Sequence, residues 1–319
     1  MSGCDLLCFG EALIDFFPEH PGSLLQDCER FVRHAGGAPT NVAIGASQLG
    51  ARVRLVSAVG DDPFGIFLRR FIVEAGIVAD SVLVDPNRCT GLTFVAVASD
   101  GSRRFLSARV ESAIGNFHSQ NLLLSWFDSV KIVHLGSATL ATEPSRSATF
   151  RTVELATQVG AIVSVDLNWR PHLWPDPRAA KPLIRALLQG ADLVKISDDE
   201  LDPLFGTVDP VEGAAKVLAL GPSVVVVTLG AKGSQLYARN QCVAQPAPNV
   251  KVVDSTGAGD GFCAGMLTSL LEALGPGHGT ARQAFFALDL SALQRSTARG
   301  NEIGSHVVTA MGATTALLR

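Results

Sequence analysis

Asp254-Ser255-Thr256-Gly257-Ala258-Gly259-Asp260, followed directly by the apolar run from Gly261 to Leu274, decides how this chain is read. Phe262, Met266, Leu267, Leu270, Leu271 and Leu274 recur at helical spacing, which predicts a helix starting near Gly257. Ser255 and Thr256 are good capping residues for that start. The N–H groups of Gly257, Ala258 and Gly259 then fall among the unpaired donors of the first turn, at the positive end of the helix dipole. Small residues there let an anion come close to the backbone. Asp260 places a carboxylate in the same turn, and the dipole is expected to keep it ionised. An anion hole beside a base is what phosphoryl transfer to a hydroxyl requires.

Working outward from this stretch, short β-branched apolar runs at 6–10, 53–59, 132–135, 162–166, 193–196 and 224–229 read as buried strands. Helical patterns lie between them at 41–50, 64–75, 144–159, 177–188 and 212–220, with Gly50, Gly76, Gly160 and Gly221 as stops. The alternation predicts an α/β fold with a mostly parallel sheet. Residues 12–17 with 31–34, and 91–98 with 103–108, break it. They read as short antiparallel strands, the second pair turning at Asp100-Gly101. They are assigned to a small β-sheet lid.

Composition excludes several classes. The 319 residues are 47% hydrophobic and 18% charged, with a formal net charge of −4, so a basic nucleic-acid surface is not expected. No run approaches the roughly 18 apolar residues of a membrane span. The first residues lack the basic start and apolar core of a signal peptide, so the cytoplasm is the expected compartment. The six cysteines form no C-x-x-C pair, which argues against a zinc ribbon or a thioredoxin motif.

Other polar clusters follow predicted strands, where ligands of open α/β sheets lie. Asp15 follows the first strand and is placed to accept hydrogen bonds from hydroxyls. Gly36-Gly37 permit a tight turn with open backbone, and Asn41 begins a helix with its amide able to face a polyol. Asp166, Asn168 and Arg170 stand at the end of another strand; Arg170 suits a planar anion, unless it simply pairs with Asp166. Lys195 and Glu200 flank the end of the 193–196 strand, with Glu200 in the first turn of the segment that follows. The sequence holds no compact Asp/Glu cage. Thr228, Gly230 and Gly233 form a turn, but no Walker A spacing occurs anywhere in the chain.

Taken together, these segments resemble the ribokinase-like (PfkB) carbohydrate kinase family, over almost the whole length from Gly10 to about Gly300. Asp254 to Asp260 is similar to the family's C-terminal D-T-x-G-A-G-D signature, with Ser255 where threonine is common. Gly36 to Asn41 is similar to the N-terminal signature. Asp166-Leu167-Asn168-Trp169-Arg170-Pro171 with Leu173-Trp174 resembles the fructokinase branch. Ser197 stands where the family has Asn in N-x-x-E. The resemblance implies a single ribokinase-like kinase domain over 1–319. It would be a three-layer α/β/α unit with a central mostly parallel sheet and a small β-sheet lid formed from about 12–34 and 91–108.

It implies ATP-dependent phosphorylation of D-fructose to fructose 6-phosphate. Asp260 is then the base, and Gly257, Ala258 and Gly259 hold the γ-phosphate. Asp15, Gly36, Gly37, Asn41, Arg109, Asp166, Asn168 and Arg170 face the sugar. Lys195, Glu200, Thr228, Gly230, Gly233, Gly257 and Gly259 face ATP, with Glu200 reaching Mg2+ through water. Asp254 and Thr256 are candidates for a monovalent cation, K+, closed by Ser296 to Gly300. A homodimer is left open. The alternatives are 2-keto-3-deoxygluconate or a ribose-like sugar as acceptor, with Arg170, Arg109 or Arg103 meeting a carboxylate, and a catalytically idle sugar sensor on the same fold. Tyr237, the single tyrosine, lies far from the 105–109 stretch where relatives that take the sugar acid carry tyrosines.

Overall fold

The computed structural model describes residues 3–20, 24–97, 103–108, 111–174, 176–275 and 279–318. Its strands are β1 (Leu6–Phe9), β2 (Leu13–Pro18), β3 (Phe31–Gly36), β4 (Val53–Gly60), β5 (Val82–Asp85), β6 (Gly91–Val97), β7 (Arg103–Ala108), β8 (Ile132–Gly136), β9 (Ile162–Asp166), β10 (Leu193–Ser197), β11 (Val224–Thr228), β12 (Ser234–Ala238) and β13 (Gln241–Gln245). Its α-helices are α1 (Ala38–Gln48), α2 (Pro63–Glu74), α3 (Ser145–Val159), α4 (Ala180–Gln189), α5 (Asp198–Phe205), α6 (Pro210–Leu218), α7 (Ala258–Leu274), α8 (Ala281–Ala287) and α9 (Leu290–Val307).

Nine strands form the main sheet in the order β13-β12-β11-β10-β9-β8-β1-β4-β5. From β5 to β11 every pairing is parallel, and β12 and β13 complete one edge antiparallel. Alternate residues of each strand feed opposite cores. Leu7, Phe9, Val133, Leu135, Val163 and Val165 pack with α3, α4, α5 and α6. Leu6, Cys8, Val53 and Leu55 pack with α1, α2, α7 and α8. Strands covered on both faces explain the unbroken apolar runs. The result is the mostly parallel sheet that the alternation predicts, in the three-layer α/β/α arrangement that the resemblance implies.

The second sheet has four strands in the order β3-β2-β6-β7. β2 runs antiparallel to β3 but parallel to β6, so the two segments that broke the alternation join through β2 and β6. One face carries Leu13, Asp15 and Thr93 toward the cleft described below. Ring contacts on the other face join Phe16 to Phe31, Phe64 and Phe94, and Arg33 lies over Phe67 of α2. The expected Asp100-Gly101 turn and Arg109 lie outside the described residues. No helix among the described residues is long and apolar enough to cross a membrane.

Candidate active site

The N-terminus of α7 enters as the motif anticipates, but its cap differs. Gly257, and not Ser255 or Thr256, is the N-cap, at φ +77. A Cβ at Gly257 would meet Ala313 at 2.5 Å, so glycine is needed for conformation and for space alike. Gly257, Ala258 and Gly259 of this turn line the larger cavity described below, and the Ala258 N–H also lies 3.4 Å from the Ser255 carbonyl. Thr256 is occupied elsewhere. Its N–H and hydroxyl both donate to Asp254 Oδ1, at 2.9 and 2.7 Å.

Two cavities lie at the carboxyl ends of the parallel strands. The smaller, about 740 Å3 including its open mouth, is lined by Glu11, Asp15, Gly37, Asn41, Thr93, Ser107, His172 and others. The larger, about 1800 Å3 on the same measure, is lined by Lys195, Glu200, Thr228, Gly230, Gly233, Ala258 and Gly259, and by Pro248, Val250, Asn301 and Ser305. Asn168, Arg170, Gly257 and Asp260 line both. Asp260 thus stands where the two meet.

Asp260 is 7% exposed. Burial is the main influence on its carboxyl and pushes the pKa up to about 6, aided by Asp166. A hydrogen bond from Asn41 and the charges of Arg170 and Lys195 oppose the rise. Desolvation outweighs the helix terminus, an effect of roughly 0.3–2 kcal/mol, so the carboxyl rises above its ordinary value. The outcome still leaves most molecules ionised at neutral pH and brings the group close to the working pH of a general base.

The sugar-side residues divide. Asp15, Gly37, Asn41, Asn168 and Arg170 come together on the smaller cavity. Gly36 sits beneath Asp15, where a Cβ would lie 2.1 Å from its carboxylate oxygen. Gly37, at φ +103, clears the Glu11 carbonyl by the same means. Asn41 differs from expectation, since its Nδ2 donates to Asp260 Oδ2 at 2.8 Å. Asp166 is a correction. It lines neither cavity but lies 2% exposed behind them, its oxygens 3.1 and 3.3 Å from Lys195 Nζ. Lys195, and not Arg170, is its partner, because β9 and β10 place the two residues side by side.

Of the residues expected on the nucleotide side, Lys195 borders the larger cavity, yet its ammonium is largely spent on Asp166. Burial lowers its pKa, but the neighbouring acids Asp166 and Glu200, with Cys263, raise it more, so it stays charged. A Cβ on Gly259 would lie 2.9 Å from that ammonium, which sets a buried cation directly under the helix start. Glu200 braces the site from within. Its carboxylate accepts from the Ser197 N–H and hydroxyl, both at 2.9 Å, and from the Trp169 N–H. Among the described residues no group of three or more His, Cys, Asp or Glu could hold a metal ion.

The expected cation loop needs one further correction. Ser296 hydrogen-bonds Ser269 and the Ala292 carbonyl, and Gly300 packs on Phe262. A rise of ~1.5 Å per residue puts Ser296 roughly 18 Å up α9 from Val308, and it is Val308 whose carbonyl accepts from the Val253 and Asp254 N–H groups. Asp254 Oδ2 accepts from Gly312 N at 2.9 Å. Segment 308–312 therefore closes this loop. Sequence reasoning also missed Glu11, Thr93, Ser137 and His172 on the smaller cavity, although Glu11 follows closely on the first strand.

A helix start beside a buried carboxylate, with a cavity on either hand, can set a hydroxyl against a phosphate. The family model "pfkB family carbohydrate kinase" matches residues 5–318. Fructokinase-2 of Solanum habrochaites is 38% identical over 269 residues, covering 84% of this chain and 82% of the relative. The crystal structure of fructokinase with bound ATP from Xylella fastidiosa superposes with TM-score 0.87 at 34% identity, covering 98% and 94% of the two chains. That of fructokinase from Vibrio cholerae O395 with fructose, ADP and calcium gives 0.84 at 29% identity, covering 98% and 96%. The chain belongs to the pfkB family of carbohydrate kinases.

Proposed function

We propose that this protein is an ATP-dependent fructokinase that forms fructose 6-phosphate and ADP. The observation that carries the reading is the junction: Asn168, Arg170, Gly257 and Asp260 line both cavities, so a hydroxyl from one side and a phosphate from the other meet at one carboxylate. The smaller cavity suits a neutral polyol. It offers the Asp15 and Glu11 carboxylates and the Thr93, Ser107 and Ser137 hydroxyls. The same carboxylates would repel the carboxylate of 2-keto-3-deoxygluconate. The larger cavity, with apolar Pro248, Val250 and Val252 at its rim, suits a nucleotide.

In this reading the Asp260 carboxylate takes the proton of the fructose 6-hydroxyl as its oxygen bonds the γ-phosphorus. The phosphorus–oxygen bond to ADP breaks in the same step. The Gly257 to Gly259 amides face the charge on the moving group, with the Lys195 ammonium beneath them. The chain contributes positioning and electrostatics, as phosphoryl transfer generally requires.

Magnesium suits the donor set as a water-linked ion. Asp198, Asp199 and Glu200 line the phosphate side of the larger cavity, while the Glu200 oxygens already accept internal bonds. When bound, it would neutralise phosphate charge. A monovalent cation at Asp254 and Thr256 would rest against 308–312. The second sheet, which places Asp15 and Thr93 over the sugar cavity, is proposed as a lid, and the cytoplasm as the compartment.

A coupled assay of ADP release tests the function with D-fructose, D-ribose, D-glucose and 2-keto-3-deoxygluconate. Fructose should give the highest kcat/KM, by at least about tenfold over the sugar acid. A reversed order would move the acceptor assignment and leave the kinase site standing.

A further inference from the structure

Asn41 lines the smaller cavity, yet its amide nitrogen is committed to the Asp260 carboxylate. Its Nδ2 donates to Asp260 Oδ2 at 2.8 Å, while its own Oδ1 is buried with no hydrogen-bond partner among the described residues. An amide that leaves its oxygen orphaned is oriented by its nitrogen. Asn41 is 5% exposed, and its helix is seated rigidly. A Cβ at Gly45 of α1 would lie 2.7 Å from the Ala264 methyl of α7, so the two helices are in close contact. The other oxygen of Asp260 is held loosely. Asn168 Nδ2 lies 3.5 Å from Oδ1, at the limit of a hydrogen bond. Asn168 itself sits at φ +40, in the left-handed region, and its neighbour Trp169 is tied by its N–H to Glu200.

We infer that Asn41 is a positioning residue for Asp260: it pins Oδ2, fixes the carboxylate's orientation and leaves Oδ1 as the atom that receives the acceptor proton. The inference rests on Asp260 being the base, as proposed above. The acceptor O–H bond breaks, its proton passes to Oδ1, the new oxygen–phosphorus bond forms, and ADP departs with the electrons of the broken bond. Asp260 is also faced by Asp166 at the end of β9, Arg170 on the following loop, Lys195 on β10 and Cys263 on its own helix. Glu11, Asp15 and His172 share the cleft. Among the influences that favour the charged carboxylate, the Asn41 bond is the largest. Removing it must therefore make Asp260 harder to ionise.

The test is the pH dependence of kcat and of KM for fructose, from pH 5 to 9, in the wild type, Asn41→Leu, Asn168→Gly and Asp260→Asn. The wild type should lose activity below about pH 6. Asn41→Leu should lower kcat about tenfold or more and move the acid limb upward by about one pH unit, with fructose KM changed less than about threefold. Asn168→Gly keeps a backbone that glycine tolerates and removes the longer contact, so its limb should move less. If Asn41→Leu melts too low to assay, Asn41→Ala gives the same readout without added bulk. A tenfold rise in KM with an unmoved limb would make Asn41 a sugar ligand and overturn the inference while the base survives. An Asp260→Asn enzyme with near-normal turnover would overturn both.

Discussion

Asp260→Asn should separate stability from activity. The wild-type carboxyl, 7% exposed, rises from its ordinary 3.8 to about 6 on folding. A raised carboxyl pKa means that between those two values the folded chain holds the proton more tightly than the unfolded one. Stability therefore falls as pH rises through about 4 to 6, and the full penalty applies above 6. At ~1.36 kcal/mol per pKa unit the penalty is up to about 3 kcal/mol. Asparagine carries no such charge and can still accept from Asn41 through its own oxygen. The variant should therefore melt roughly 4–6 °C above the wild type at pH 7.5, taking about 2 °C per kcal/mol for a chain of this size. The difference should vanish near pH 4. The same variant should lose about 10²–10⁴ in kcat. Thermal melts from pH 4 to 8, paired with turnover, read both. Equal melting temperatures at every pH would refute the desolvation argument. Retention of more than a tenth of the turnover would refute the base.

Three further outcomes are expected. Asp15→Ala should cut kcat/KM for fructose by a few kcal/mol, because it removes charged acceptors from a partly buried contact, with ATP affinity unchanged by calorimetry; an unaltered fructose response would move Asp15 out of the sugar site. Gly259→Ala puts a methyl 2.9 Å from the Lys195 ammonium and should lower kcat more than fructose affinity, so normal kcat with raised fructose KM would count against the anion hole. Hydrogen exchange across 12–34 and 91–108 should slow at saturating fructose if the second sheet closes as a lid, and unchanged protection would reject closure.

The layers of this fold were legible because their physics is local. Strands buried on both faces read as continuous apolar runs, and glycines mark their helix stops. What stayed hidden lacked a local mark. β12 and β13 are joined by Arg239-Asn240, both at positive φ. That is the conformation of a tight hairpin turn without the usual Asn-Gly signal. α9 runs through Leu290-Ser291-Ala292-Leu293-Gln294-Arg295 and on to Val307 with small and polar residues on its buried side. Its buried positions recur at helical spacing, but Ser296, Thr297, Gly300, Asn301 and Gly304 fill many of them. The apolar stripe that marks a helix is therefore missing, and the register that removes Ser296 from the cation loop was not read.

The site shows the same division. Each loop that enters the cleft announced itself as a polar cluster after a strand, so the residues brought together were mostly those expected. Their partners were not readable, because a partner depends on which strand lies beside which. Asp166 could have paired with Arg170 four positions away, or with Lys195, which is distant in sequence. The β9–β10 register decides for Lys195, which removes Asp166 from the cavity lining and sets a buried cation beneath the turn at Gly259. Asn41 and Asp260 lie 219 residues apart, each in a motif that looks complete by itself. Only the packing of α1 against α7 joins the two motifs, and it sets the Asn41 amide against the Asp260 carboxylate. Breaking that helix contact without touching either side chain isolates the point. Gly45→Val would wedge the helices where a Cβ already meets Ala264 at 2.7 Å. It should lower kcat and raise the acid limb as Asn41→Leu does, whereas a loss confined to fructose KM would mean that α1 serves the sugar directly.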